Sequence, residues 1–154
     1  MEAFRIKCRT APVGEVGPLI PRLDQSIPVL TLHILELRRC PKGLNIDGSL
    51  TFDMQSDGGV DGVEILFPLG SGLNSGTGHA RPGEKYWRLF LEPNRKDVSE
   101  PEVELLMERI EDQVTFRFVR GDIDSKYLIG PGVTALVGDN ELKGLSVELL
   151  PFRK

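Results

Sequence analysis

Ser99-Glu-Pro-Glu-Val-Glu-Leu-Leu-Met-Glu-Arg-Ile-Glu-Asp-Gln-Val-Thr-Phe-Arg-Phe-Val119 decides the fold class, because its apolar period changes part-way along. Ser99-Glu-Pro-Glu102 has the form of a capping box with a proline in the first turn. Val103, Leu106, Met107 and Ile110 follow at i, i+3, i+4 and i+7, one stripe of a 3.6-residue period. Glu100, Glu102 and Glu104 complement the positive end of such a helix. The spacing predicts a helix at residues 100–112. Beyond it Val114, Phe116 and Phe118 alternate with Thr115, Arg117 and Val119, the period of a strand. The expected class is α+β: a mainly antiparallel sheet with that one well-defined helix packed on it.

The flanking sequence supplies the strands. Phe4, Ile6 and Cys8 alternate with Arg5, Lys7 and Arg9, which predicts a first strand at 2–9, and the four prolines of Ala11–Pro28 predict a connection. In Val29–Arg38, Leu30, Leu32 and Ile34 alternate, but Leu35 and Leu37 continue in the opposite phase; a strand with a bulge or short helix at the slip accounts for this. Pro41-Lys-Gly43 reads as a break, Asp47-Gly48 as a turn, and Leu50–Met54 with Val60–Phe67 as a hairpin around Asp57-Gly-Gly59. Glycines at 70, 72, 76, 78 and 83 predict a flexible loop at 70–84. Lys85–Leu91 reads as a strand with Trp87, Leu89 and Leu91 inward and Tyr86, Arg88 and Phe90 outward. Tyr127–Ile129, Val133–Val137 and Leu142–Leu150 complete the set. Consecutive strands joined by tight turns, in 154 residues, predict a single domain over 1–154.

Composition narrows the partners. Nineteen basic and 23 acidic residues leave a net charge of −4, opposite to what a phosphate backbone recruits, so nucleic acid is not expected. No apolar stretch reaches the length of a bilayer span, and charges occupy the N-terminal segment where a signal peptide would be apolar, so neither membrane nor export is expected. Cys8 and Cys40 are too few and too far apart for a disulfide framework, which fits a cytoplasmic protein. Residues 44–84 hold one basic and six acidic residues, concentrating the negative charge in one segment.

Two hairpins echo each other 82 positions apart: Asp57 falls on Asp139, Val60 on Leu142, Gly62 on Gly144, Val63 on Leu145 and Ile65 on Val147. The pattern suggests a duplicated β-hairpin unit. Asp57-Gly-Gly-Val-Asp-Gly-Val-Glu-Ile-Leu66 and Asp139-Asn-Glu-Leu-Lys-Gly-Leu-Ser-Val-Glu-Leu149 resemble the closing hairpin of small bacterial proteins of unknown function, which end in an acidic turn and a Gly-(Val/Ile)-Glu-(Val/Ile)-Leu strand. The second copy departs from this with Ser146 in place of a glutamate. The resemblance implies a small α+β fold and no activity.

Catalytic motifs are weak. Gly70-Ser-Gly72 follows an apolar strand, but neither the helix of a dinucleotide site nor a P-loop lysine follows it, and no Gly-x-Ser-x-Gly is present. Cys8, Cys40, His33 and His79 are zinc-type ligands without ligand spacing, and the aspartates at 53, 57, 61, 122 and 124 lack a calcium-loop pattern. No metal or cofactor is expected. Tyr86, Trp87, Arg88 and Phe90 are the residue types enriched at contact hot spots. They point to a non-enzymatic protein-binding module of the immunity or antitoxin type, whose partner is a second copy or another protein. The alternative is a small-molecule or anion binder, or a hydrolase, built from Gly76, Gly78, His79 and Arg81 of the glycine-rich loop.

Overall fold

The computed structural model describes residues 3–27, 29–66, 72–99 and 102–153. It is built almost wholly of strands: β1 (Ile6–Pro12), β2 (Ile20–Asp24), β3 (Val29–His33), β4 (Lys42–Ile46), β5 (Leu50–Met54), β6 (Val60–Ile65), β7 (Gly76–Thr77), β8 (Trp87–Pro93), β9 (Asp97–Val98), β10 (Leu106–Ile110), β11 (Gln113–Arg117), β12 (Ser125–Gly130), β13 (Val133–Gly138) and β14 (Glu141–Glu148). Two single 3₁₀ turns, Gly14–Val16 and Leu150–Phe152, are the helical elements among the described residues. One sheet runs β10-β11-β14-β1-β8, with β13 and then β12 on the other edge of β14; the second runs β7-β2-β3-β6-β5-β4-β9. Pairing is antiparallel except for β4 with β9. Side chains of both sheets form one core, in which Phe52 of β5 meets Phe118, just beyond β11, edge to face at 6.1 Å.

The helix expected at 100–112 is absent, which corrects the α+β class to all-β. Glu102 and Val103 donate to the Ser99 carbonyl at 3.0 and 3.4 Å, closing one turn; Glu100 and Pro101 of the expected capping box lie outside the described residues. The chain then enters the β10–β11 hairpin, with Met107 opposite Phe116 and Arg109 opposite Val114. Of the supposed helical stripe Val103 is buried, whereas Leu106 and Ile110 face solvent. Leu105, Met107 and Arg109 are half-buried and alternate with exposed Leu106, Glu108 and Ile110. Apolar side chains on both faces of this edge strand disguised a period of 2 as a period of 3.6. Pairing with β11, itself held against the distant β14, outweighs the helix preference of the segment, worth only tenths of a kcal/mol per residue. β2 and β4 also form where the prolines and Pro41-Lys-Gly43 suggested irregular chain, and β3 stops at His33, at the phase slip.

The echoed segments become the central strands of the two sheets. In β6, Asp53 pairs with Gly62 and Met54 with Val60, so Asp61 bulges out of register. In β14, Leu136 pairs with Gly144 and Val137 with Leu142, so Lys143 bulges at the matching position. Both bulge residues are buried and charged. At each bulge the strand also changes its partner on the opposite edge. β6 pairs with β3 as far as Gly62 and then bridges Phe90 of β8 through Gly59; β14 pairs with β11 as far as Gly144 and then meets β1 at Glu141. The glycine after each bulge permits the close approach, since a Cβ on Gly62 would strike the His33 ring and one on Gly144 the Phe116 carbonyl.

Glu111, in the β10–β11 turn, has φ 54°, a conformation that strains a residue with a Cβ by about 1 kcal/mol. Glu111→Gly should therefore raise stability in urea titration by up to about 1 kcal/mol, whereas in a helix interior the same change would lower it by about as much.

Candidate functional site

The chain leaves β3 at His33, buries Ile34, and crosses residues 35–40 as a loop before β4. Leu35 and Leu37 in that loop are 83% and 75% exposed. Two leucines held in water within three residues are unusual for a chain able to turn them inward, and the base of the loop explains why they stay out. Arg38 forks onto Asp61, Nε to Oδ2 at 3.1 Å and Nη2 to Oδ1 at 2.9 Å. Gln55 Nε2 donates to Oδ2 at 2.7 Å and to the carbonyl of Arg39 at 3.0 Å, tying the loop backbone to β5 and its turn. From the other sheet, Arg88 of β8 donates Nη2 to Oδ1 at 3.0 Å.

The Asp61 side chain is 4% exposed, as against 9% for Arg88 and 42% for Arg38. A carboxylate taken this far from water is strongly destabilising unless charged donors surround it. Burial pushes the Asp61 carboxyl up, but the hydrogen bonds from Arg38, Gln55 and Arg88 outweigh it and hold the group below its ordinary range. Gly59 leaves room for this, because a Cβ there would collide with the Arg88 guanidinium. Asp57 shapes the preceding turn by accepting from the Gly59 N–H at 2.9 Å. The Cys40 Sγ lies 3.9 Å from Asp61 Oδ2. Burial and the neighbouring carboxylate raise its pKa, which keeps the thiol protonated and poorly nucleophilic. A cavity of about 400 Å³ opens beside the cluster, lined by Val16, Arg38, Gln55, Ser56, Asp57 and Arg88. Arg88 Nη1 has no hydrogen-bond partner among the described residues.

The aromatic strand does not present the surface expected of it. Tyr86 is buried, accepting from the Arg81 N–H at 2.9 Å and donating to Glu84 at 2.8 Å. Arg88 is buried on Asp61, and Phe90 is half-covered, with the Arg9 guanidinium 3.9 Å above its ring. Trp87, expected inward, is the exposed member and stands edge to face on Tyr127 at 6.0 Å. The turn between β5 and β6 meets the edge of this strand at the Gly59–Phe90 bridge.

The glycine-rich alternative is dispersed as well. Gly76 lies in β7 opposite Leu23, the Gly78 N–H donates to Pro21, and His79 is exposed. Arg81 pairs with Glu148 at 3.1 Å and lies 3.9 Å from Glu84; Gly70 and Ser71 lie outside the described residues. Among the described residues no three His, Cys, Asp or Glu side chains gather as a metal site, and Cys8 is a free thiol whose pKa is raised to about 11, chiefly by burial. A larger cavity of about 820 Å³ opens at the other bulge, beside Lys143. There four cations face four carboxylates, and Lys143 Nζ is already engaged by the Arg120 carbonyl at 3.1 Å and by Glu141 at 4.0 Å.

Sequence reasoning missed Asp61, Gln55 and Arg38 as a cluster. It touched the site at separate points, weighing Asp57 and Asp61 as cation ligands and Arg88 as a contact residue, and marking the phase slip at Leu35 where the strand ends and the loop begins. No family model, curated protein or solved structure matches the chain.

Because the Asp61 pKa is lower in the folded chain than the roughly 3.9 of an unfolded aspartate, its contribution is complete above that value and disappears as pH falls through the folded value. Asp61→Ala should cost about 3–5 kcal/mol at neutral pH, since it leaves Arg88 buried without its counter-ion. In urea titrations across the acid range, Asp61→Asn should flatten the pH dependence below about pH 4 relative to wild type; an unchanged profile would remove Asp61 from the account.

Proposed function

We propose that the chain is a non-catalytic protein-binding module that docks through the loop at residues 34–41. The observation that carries this reading is the pair of exposed leucines, Leu35 and Leu37, on a loop whose base is fixed by a buried forked ion pair. Covering one such side chain is worth about 1.5–3 kcal/mol. A pre-fixed loop gives up little conformational entropy when it docks. Glu36 and Arg39 are exposed beside the leucines and supply the polar rim of a contact surface.

A membrane is the less favoured partner. Glu36 lies between the two leucines and would be carried into the headgroup region with them, and insertion of a carboxylate is costly. The narrower immunity or antitoxin reading, in which acidic residues 44–84 meet a basic partner, has less support. Asp61 and Glu84, two of the six acids in that segment, are engaged by Arg38, Arg88, Arg81 and Tyr86 within the chain. The loop therefore carries the proposal in place of the acidic segment.

A photo-crosslinking residue at position 37, in cells of the source organism, should yield a discrete protein adduct or a crosslinked dimer. The same residue at exposed Leu150 should not, and Leu35→Ser with Leu37→Ser should abolish co-purification of that partner while leaving the melting temperature unchanged. Equal labelling at both positions, or co-sedimentation of the purified chain with anionic vesicles in place of protein adducts, would overturn the reading.

A further inference from the structure

We propose that β10 is a strand-addition edge that receives an extended basic segment of another protein. A lysine or arginine of that segment lies opposite Glu108, with apolar residues two positions to either side, opposite Leu106 and Ile110. This contact is separate from the docking loop and does not depend on it.

Unpaired N–H and C=O groups along a sheet edge are a template for further pairing, and folded chains shorten or cover such edges. Among the described residues the other edges are treated in that way. β7 and β9 are two residues long. β8 is met by the β5–β6 turn, where the Leu91 N–H donates to the Gly58 carbonyl at 2.9 Å and Gly59 bridges Phe90. The Leu19 N–H donates to the Ile129 carbonyl of β12 at 3.0 Å. β10, in contrast, runs five residues and pairs with β11 alone. Alternate residues of an antiparallel strand direct both backbone groups to the same side, so the far side of β10 offers a row of donors and acceptors with no described strand beside it.

The side chains specify the strand that fits. On the outward face Leu106 and Ile110, 54% and 63% exposed, flank exposed Glu108. Directly opposite Glu108 on β11 stands neutral Thr115, while the diagonal neighbours Gln113 and Arg117 donate to Ser146 and to the Gly121 carbonyl. Glu108 also lines the cavity of about 820 Å³. Of the four carboxylates there, Glu102 pairs with Arg95 at 2.8 Å, Glu104 with Arg120 at 3.3 Å and Glu141 with Lys143 at 4.0 Å; Glu108 has no ion pair among the described residues. An added strand brings its own side chain to within about 5 Å, Cβ to Cβ, of the residue it faces, which is the reach a basic counter-charge needs. The chain's net charge of −4 favours the same sign of partner. A second copy does not fit. Two-fold pairing that sets Leu106 against Ile110 of the copy centres on Glu108 and places it against itself, with Glu104 against Asp112. Moving the centre by one residue sets Glu108 against Leu106 or Ile110. Like charges directly opposite are destabilising.

The probe is the acetylated, amidated peptide Thr-Val-Thr-Lys-Thr-Val-Thr, whose two valines and lysine share one face. Titrated through the millimolar range into the ¹⁵N-labelled chain, it should shift the amide signals of residues 105–111 saturably and slow hydrogen exchange at alternate amides of β10. The same peptide with glutamate for lysine should bind at least about threefold more weakly, and Glu108→Lys should reverse that preference. Of two versions N-methylated at alternate residues in opposite phase, one should fail to bind and the other should bind. Leu106→Thr with Ile110→Thr should weaken binding of the lysine peptide while the β10–β11 hairpin keeps its exchange protection, and Leu35→Ser with Leu37→Ser should leave it unchanged. No saturable shift, equal binding of the two N-methylated peptides, or an unreversed preference in Glu108→Lys would overturn the strand-addition edge. A wild-type dimer at neutral pH in sedimentation, dissolved by Leu106→Asp, would also overturn it by assigning the edge to a second copy.

Discussion

A carboxylate with almost no access to water holds this molecule's working parts in relation. Asp61 accepts from Arg38 at the foot of a surface loop, from Gln55 at the end of β5 and from Arg88 on a strand of the other sheet. Each of these donors belongs to a different stretch of chain, so one desolvated charge fixes a loop, a turn and a sheet-to-sheet crossing at once. Buried ion pairs add little net stability compared with apolar packing, but they tolerate few alternative geometries. That intolerance is what a loop bearing two exposed leucines needs if it is to keep them out of the core.

The position of Asp61 follows from strand geometry. An extra residue in one strand of an antiparallel pair re-aims its side chain and bends the strand, and here the bend falls where β6 gives up β3 and turns to β8. β14 repeats the device at Lys143, where β11 gives way to β1. Diverging neighbours leave a space beside each bulge, and a charged residue sits next to each space. The two sites differ in outcome because their partners differ. Lys143 finds a carbonyl and a glutamate and faces a wall of balanced charge. Asp61 attracts two arginines, and the second brings more donors than the carboxylate can use.

Arg88 also shows how far a residue type can be read from sequence. Its company of Tyr86, Trp87 and Phe90 marked the strand as a contact surface, since those side chains combine apolar area with polar ends. In the fold Tyr86 and Arg88 turn inward, where their polar ends find Asp61, Glu84 and the Arg81 amide, while Trp87 stays exposed. The most exposed large apolar side chains among the described residues are instead Leu35 and Leu37, a residue type that carries no such signature.

Local chemistry was sufficient for the turns and for most of the second half of the chain. Asp47-Gly48 and Asp139-Asn140 adopt the positive φ that tight hairpins demand, and the strands around Val114–Phe118, Val133–Val137 and Leu142–Glu148 follow their alternation. The 82-residue echo falls on the two strands that become central, β6 and β14, but their bulges and their places in the sheets follow only from the pairing. What the sequence could not decide was the state of residues 106–110, where an apolar pattern compatible with either period was settled by pairing to β11, or the meeting of Asp61 with Arg38 and Arg88. Tight turns with a distinctive pair such as Asp-Gly are determined by neighbours a few residues apart, which the sequence displays directly. A buried charge is determined by donors 23 and 27 positions away, and their arrival depends on which strands lie side by side.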